Sequence, residues 1–297
     1  MAPLNRLRVA LGDYPHTLPL KQHQIASDQV AFDFVEIKPV YKAFASMVRE
    51  QAFDVSEMAI VTCLQAVAYG RPLVLLPATM MGRFQHHCML HNAERGRLAP
   101  ADLPGRRVGV RSFAQTTGAW LRGILANDYG VDLGRVHWVT FEDAHVPEFR
   151  DPPGVERVGG DKNMTKMLLA GELDAAIYGA ELPDDSRLQS VIPNPQAAAL
   201  AWHARHGVVP INHMVVVGKA LAQDRPDLVR EVYRLLLAGK VAAGGPAAGA
   251  IDLQPFGFSA CRAAVQMMAD YALQLKLVPR RLDLDELFDI TTRALSD

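Results

Sequence analysis

The 297-residue chain carries 31 basic and 32 acidic residues, a net charge of −1, and so lacks the basic footprint that nucleic-acid binding normally leaves. Its 49% apolar content is that of a globular protein, and its length is enough to bury a large core in two α/β domains or one large unit. Three widely spaced cysteines, Cys63, Cys88 and Cys261, argue against a disulfide framework and fit a reducing compartment.

The amino terminus, MAPLNRLRVALGDYP, passes straight into a strand-like segment without the apolar run and cleavage site of a secretory signal. The apolar stretch 61–78 is interrupted by Gln65, Gly70, Arg71 and Pro72, which argues against a membrane helix. The expectation is a soluble, cytoplasmic protein with neither nucleic acid nor membrane as partner.

Residues 7–11 read as a strand ending at Gly12, and the next loop, Asp13-Tyr14-Pro15-His16-Thr17, is dense in groups that bind or move protons. Functional residues of α/β proteins collect at such strand ends, although a polar turn around Pro15 has the same pattern. A second strand follows over 30–37, then an amphipathic helix over 40–51 with Phe44, Met47 and Val48 inward. Residues 53–58 read as a strand entering a helix over 59–69, which sets Ser56 and Glu57 at the helix start, either as caps or as ligand contacts.

Leu73-Val74-Leu75-Leu76, within 72–77, is typical of a strand buried on both faces. It leads to Arg83, Gln85, His86, His87, Cys88 and His91, a grouping that invites a metal. Strand alternation, however, would put His86 and Cys88 on one face and His87 and His91 on the other, and neither C-x-x-C nor H-E-x-x-H spacing is present. An imidazole used for hydrogen bonding or proton transfer is more economical.

After a polar connection over 93–104, Val108 and Val110 alternate within a strand over 107–111, and Trp120, Leu121, Ile124 and Leu125 recur at helical spacing over 118–127. The turn between, Ser112-Phe113-Ala114-Gln115-Thr116-Thr117, puts hydroxylated residues where spare N–H groups and the positive end of a helix dipole can receive an anion. An ordinary capped helix has the same signature. Further on come a strand over 136–141, Glu142 to His145, a loop over 151–160, a helix over 163–170 and a strand over 173–178 that ends at Tyr178.

Phe53-Asp54-Val55 and Leu173-Asp174-Ala175 each follow a helix and enter a strand, an echo that two lobes built alike would produce. A helix over 196–205 precedes a β-branched strand containing Asn212 and His213. Helices follow over 226–242, 259–275 and 284–295, with an Ala/Gly/Pro-rich break at 244–249.

Taken together, FDVSEMAI at 53–60, RVGV at 107–110, TGAWLRGILANDYGVDLGRVHWVT at 117–140, MLLAGELDAAI at 167–177 and HGVVPINHMVVV at 206–217 resemble the 4,5-dihydroxyphthalate decarboxylase group. That group has the type 2 periplasmic-binding-protein-like fold. The resemblance implies two α/β lobes of mixed sheets flanked by helices, with the ligand in the cleft between them. By that implication residues 1–90 and 215–297 form a discontinuous first lobe and 91–214 the second, with crossover strands near 84–110 and 207–217. The strand tips at Asp13, Ser56, Ser112 and Tyr178 would then face one crevice. The group's pattern has arginine and serine beside the first crossover histidine, whereas Gln85 and His87 flank His86 here and Arg83 lies two places before Gln85. Either Arg83 takes the arginine's role toward a carboxylate or the substrate differs.

The activity implied is loss of carbon dioxide from a hydroxylated aromatic dicarboxylic acid, without a cofactor, because the ring accepts a proton at the carboxylate-bearing carbon while a para hydroxyl delocalises charge. The protein must supply cations or N–H groups for the carboxylates, a base for the phenol and an acid for the ring carbon. Candidates for proton transfer are His16, His86 and His213, with Glu57 to orient one of them or to receive a hydroxyl. Candidates for binding are Asp13, Tyr14, Ser56, Arg83, Arg111, Ser112, Gln115, Thr116, Thr117, Tyr178 and Asn212, no metal being called for. The partner is a small aromatic carboxylate, and assembly into a homo-oligomer is compatible with this reading. A solute-binding protein or cytoplasmic sensor for such a carboxylate would use the same fold and cleft without catalysis, as would a thiamine-precursor-type enzyme acting on a pyrimidine.

Overall fold

The computed structural model describes residues 4–160 and 162–296, so the first three residues of the amino-terminal stretch read above lie outside the described part. The first half of the chain builds β1 (Asn5–Ala10), α1 (Leu18–Lys21), β2 (Val30–Phe34), α2 (Lys42–Glu50), β3 (Val55–Ala59), α3 (Ile60–Ala68) and β4 (Leu73–Gly82). Then follow β5 (Met89–Asn92), β6 (Arg107–Val110), α4 (Thr116–Asp128), β7 (His137–Thr140), β8 (Glu156–Arg157), α5 (Met164–Ala170), β9 (Ala175–Ile177), β10 (Leu188–Ser190) and α6 (Pro195–His206). The chain closes with β11 (Ile211–Gly218), α7 (Lys219–Asp224), α8 (Pro226–Ala242), α9 (Phe258–Gln274), α10 (Leu284–Leu287) and α11 (Ile290–Arg293).

Two mixed sheets result, ordered β2-β1-β3-β11-β4 and β10-β5-β9-β6-β7-β8. They are built alike. In the first, β2, β1 and β3 are parallel and β11 lies antiparallel beside β3; in the second, β7, β6 and β9 are parallel and β5 lies antiparallel beside β9. The chain leaves the first sheet after Gly82 and re-enters it at Ile211.

The sequence echo marks this repetition physically. The Asp54 carboxylate accepts from the Arg8 N–H at 2.7 Å, and the Asp54 N–H donates to the Arg8 carbonyl at 2.9 Å. In the other sheet Asp174 treats Arg107 identically, at 2.8 and 2.9 Å. Each aspartate joins a strand entrance to its parallel neighbour and satisfies backbone groups that would otherwise be left at the sheet end.

The apolar pattern explains the burial. Ala43, Phe44, Met47 and Val48 form the inward face of α2, and α3 is buried over Ile60 to Val67. Trp120, Leu121, Ile124 and Leu125 are fully buried in α4, where the Trp120 indole N–H donates to the Ile211 carbonyl at 2.8 Å and so ties the second lobe to β11. One apolar core runs from Met58 and Leu64 through Trp120 and Trp138 to Met268 in α9. Helix α9 fits closely because Gly123 has no side chain: a Cβ there would lie 2.0 Å from Cδ2 of Tyr271.

Several local expectations change. Ser56 and Glu57 lie inside β3, fully buried, and the helix cap is Ala59, because the strand pairs with β11 as far as Ala59. Residues 83–88 are irregular, so the strand alternation expected for His86, His87 and Cys88 does not apply; only Met89–Asn92 is extended. The helix expected over 284–295 is two short helices, since Asp289 caps a new start by accepting from the Thr292 N–H at 2.8 Å. The loop over 151–160 contains the two-residue β8. Among the described residues no helix is long and apolar enough to cross a membrane, and no three His, Cys, Asp or Glu side chains are grouped to hold a metal ion.

Candidate active site

A cleft of about 1000 Å³ opens between the lobes, at the carboxyl ends of the parallel strands of both sheets. Its first-lobe wall comes from the loop after β1, the entrance to α2, Ala59 and Thr62; its second-lobe wall comes from Arg111 to Thr117, the loop after β7, and the loop after β9. Arg83, Asn212 and His213 form the floor, where the chain passes between lobes.

The floor centres on Glu57 and His213. Glu57 opposes Val215 in the β3–β11 ladder, so His213, two residues before Val215, shares its face of the sheet as a diagonal neighbour. The pairing of β11 with β4 slips in register on both sides of His213, an irregularity of the kind that re-aims side chains beside active sites. His213 Nδ1 is 2.6 Å from Glu57 Oε1; the Tyr14 hydroxyl donates to the same oxygen at 2.6 Å and the Gly12 N–H to Oε2 at 2.9 Å. Burial pushes the Glu57 carboxyl up, but His213, Tyr14 and the Gly12 N–H together outweigh it and hold the group below its ordinary value. A carboxylate accepts only, so Nδ1 of His213 carries the proton, and Nε2, with no hydrogen bond from the described residues, is the nitrogen left for a ligand. The Tyr14 hydroxyl is shifted upward by burial and by Glu57, which fixes it as a donor.

Above this pair, Arg83 stands without a carboxylate within ion-pair distance among the described residues. Its Nη2 donates to Thr117 Oγ1 at 3.0 Å and its Nε to Gln85 Oε1 at 3.3 Å, and the guanidinium also meets the Met81 thioether at 3.8 Å and the Cys88 thiol. Gln85 is fully buried and donates to the Asn212 side-chain oxygen at 2.6 Å, and Asn212 donates to Thr117 Oγ1 at 3.3 Å. Gln85 therefore does not line the cleft but braces Arg83 and Asn212 there. The start of α4 lies beside them: its cap residue Gln115 offers no side-chain cap, and Ser112 Oγ and Gln115 Oε1 are buried without partners among the described residues. Thr116 Oγ1 accepts from the Val61 N–H of α3 at 3.4 Å, bringing the starts of two helices together. A guanidinium and a helix amino end form a ready acceptor for a carboxylate.

Other candidates are placed less centrally. Asp13 lines the cleft but is paired with Lys21 at 2.6 Å and Lys38 at 2.8 Å. Arg111 lines it too, lying 4.4 Å over the Tyr41 ring and 3.4 Å from Glu142. Tyr178 reaches the cleft with its hydroxyl donating to Thr165 at 3.1 Å. Four candidates, His16, His86, Ser56 and Glu57, do not line it. His16 is buried behind Tyr14, its ring stacked on the phenol at 5.2 Å, because the loop carbonyl of His16 packs against Gly239. His86 is buried edge-on to Trp202, with both ring nitrogens unpartnered among the described residues and its pKa lowered by burial to about 4. Ser56 is buried and donates to the Glu57 carbonyl at 2.8 Å. Glu57 itself reaches the cleft only through His213 and Tyr14, which makes it a positioning residue.

Sequence reasoning passed over two residues. His145, on the loop after β7, lines the cleft with Nδ1 2.9 Å from Thr62 Oγ1; only its place after a strand end signalled it. Arg122 is buried behind the start of α4, where it donates to the Phe113 and Gly118 carbonyls and stacks 4.0 Å from the Phe113 ring, bracing the Ser112 loop from below.

No protein-family model matches the sequence. The chain is 30% identical over 236 residues to 4,5-dihydroxyphthalate decarboxylase of Comamonas testosteroni, a span of 75% of this chain and 71% of that protein. The chain belongs to the 4,5-dihydroxyphthalate decarboxylase family. A second member, the 4,5-dihydroxyphthalate decarboxylase of Pseudomonas putida, is 28% identical over 210 residues, covering 66% of this chain and 81% of its own. Among solved structures, the aliphatic sulphonate binding protein SsuA of Escherichia coli superposes with a TM-score of 0.60 at 14% identity, covering 96% of this chain and 92% of its own. The desulfurization enzyme DszB superposes at 0.56 and 14% identity, over 97% of each chain. At such identities these likenesses establish the two-lobed binding-protein fold for this family member and nothing about its ligand.

Proposed function

We propose that the protein is a cofactor-independent decarboxylase of a hydroxylated aromatic dicarboxylic acid of the 4,5-dihydroxyphthalate type. The observation that carries this is the buried Glu57–His213 pair, which turns a single imidazole nitrogen into a cleft whose floor also holds the carboxylate-free Arg83. A binder needs matching donors; a buried carboxylate that orients an imidazole is acid–base machinery. Family membership supports the same conclusion.

Arg83, with the N–H groups at the start of α4, holds one carboxylate in place, a bidentate match of charge and shape. The imidazolium of His213, its charge opposed by ionised Glu57, gives its Nε2 proton to the ring carbon that bears the other carboxylate. The para phenol, ionised, feeds its electron pair into the ring as this carbon becomes tetrahedral. The bond to the carboxylate then breaks, its electrons return to the ring and oxygen, and carbon dioxide leaves. One proton is consumed and His213 recovers it from water. The ring itself stores the electrons, so the chemistry needs no separate sink.

The test is to incubate the purified protein with 4,5-dihydroxyphthalate and related hydroxylated aromatic acids, following carbon dioxide release and thermal stabilisation together. Release from a member of the panel is the expected result and names the substrate. Stabilisation without release would overturn the enzyme assignment in favour of a binding or sensing protein, since a ligand of the native state must raise its stability.

A further inference from the structure

We propose that His145 is the second proton-transfer group of this cleft, accepting the phenolic proton at the end of the ring opposite the carbon protonated by His213. The inference rests on the decarboxylase function proposed above and assigns its missing base. A phenol oxygen and the carbon para to it lie at opposite ends of an aromatic ring, so one anchored imidazole cannot serve both. Among the described residues lining the cleft, the two imidazoles are His213 and His145.

They come from opposite sides. His213 is held at the floor by Glu57, whereas His145 arrives from the second lobe on the loop after β7. Both rings meet Phe44 of α2 edge-on, at centroid distances of 5.1 and 5.6 Å, so Phe44 spaces them. His145 is fixed at three points: Nδ1 by Thr62 Oγ1 at 2.9 Å, its carbonyl by Arg49 Nε at 3.1 Å, and its loop by the Arg71–Glu148 ion pair. In the tautomer whose Nδ1–H donates to Thr62 Oγ1, Nε2 carries the lone pair and has no partner among the described residues.

The charges around it favour a neutral ring. Burial, together with Arg111 at the end of β6, Arg49 of α2 and His213 of β11, lowers the His145 pKa to about 4, so its lone pair is available at neutral pH. A dianionic substrate beside it raises its proton affinity when a proton must be accepted. In the step itself the phenol O–H bond breaks, the proton moves to Nε2 of His145, and it returns to oxygen once carbon dioxide has left and aromaticity is restored.

The experiment measures kcat and KM for wild type and H145Q on 4,5-dihydroxyphthalate across roughly pH 6–9, below the ordinary phenol pKa of about 10. The expected result is a kcat lowered about 10²–10⁴-fold near neutrality with KM little changed. The deficit should shrink by roughly tenfold per pH unit as solvent ionises the phenol without the base. Free imidazole should restore turnover to H145A, a second readout that needs only a folded cleft. Unchanged kcat in H145Q, or a pH-independent loss with no rescue of H145A, overturns the assignment while the wild-type turnover keeps the decarboxylase function. A wild type that releases no carbon dioxide sinks that function instead.

Discussion

His213 and Glu57 are diagonal neighbours on one face of the paired strands β11 and β3, with Nδ1 and Oε1 2.6 Å apart. The carboxylate also accepts from the Tyr14 hydroxyl and the Gly12 N–H, so its removal orphans three groups at once. E57Q keeps an acceptor but removes the charge that opposes an imidazolium at His213, and kcat should fall about 10²-fold or more with KM nearly constant. E57A should in addition destabilise the fold by about 2–3 kcal/mol, from unsatisfied buried donors. Steady-state kinetics and urea unfolding separate the two effects; an E57Q enzyme of wild-type kcat would remove Glu57 from the mechanism.

Arg83 donates to Thr117 and Gln85 and, among the described residues, faces no carboxylate. A substrate carboxylate is the partner this leaves open. R83M should therefore raise KM by roughly tenfold to a hundredfold, about 1.4 kcal/mol per factor of ten, and R83K should recover part of the loss because it restores charge without the planar fork. The discriminating control is an aromatic acid lacking the second carboxylate: if R83M weakens the diacid and the mono-acid alike, Arg83 does not read that carboxylate.

Much of this architecture was legible in the sequence, for identifiable reasons. Buried apolar runs such as 73–76 and helical spacing such as Trp120 to Leu125 are direct records of the core, and the Asp54 and Asp174 echo proved to be the same strand-entrance contact in both sheets. The hydroxylated turn before α4 and the floor residues Arg83, Asn212 and His213 do meet at the cleft. What failed was side-chain direction. His16 and His86 sit in segments next to the cleft yet point into packing, and composition cannot tell a histidine stacked behind Tyr14 from one facing a ligand. Glu57 was read within the strand 53–58 but as a residue at the start of the next helix, because nothing local in Phe53 to Met58 reveals that pairing with β11 continues to Ala59. His145 was passed over because its value depends on Thr62 and Phe44, more than eighty residues away in the chain.

Gly123 sets the approach of α9 to α4, since a Cβ there would lie 2.0 Å from the Tyr271 ring. That ring also packs edge-on against Trp120 at 5.8 Å, so it has little room to retreat. G123A should lower stability by about 1–3 kcal/mol through overpacking, seen as a lower urea midpoint with an unchanged slope. The double variant G123A/Y271A should not show the full sum of the two single losses, because the second change removes the clash. Additive losses would mean that the strain lies elsewhere.

His86 gives the acid response of the fold. Burial lowers its pKa from 6.5 to about 4, and both ring nitrogens lack partners beside Trp202. In the unfolded chain the imidazole takes a proton near its ordinary value, whereas the folded chain resists until about pH 4. The unfolded state thus binds more protons in that window, and stability is complete above pH 6.5 and declines as pH falls toward 4. His145, lowered to about 4 as well, adds a loss of the same sign. H86L, which replaces the imidazole by an apolar group of similar bulk, should change stability by less than about 1.5 kcal/mol at neutral pH. At about pH 4.5 it should spare the protein about 2–3 kcal/mol of the wild-type loss. Urea unfolding at the two pH values measures both differences. Parallel acid losses in wild type and H86L would mean that His86 becomes protonated in the native state with its contacts intact, and that acid sensitivity in this window arises from other groups such as His145.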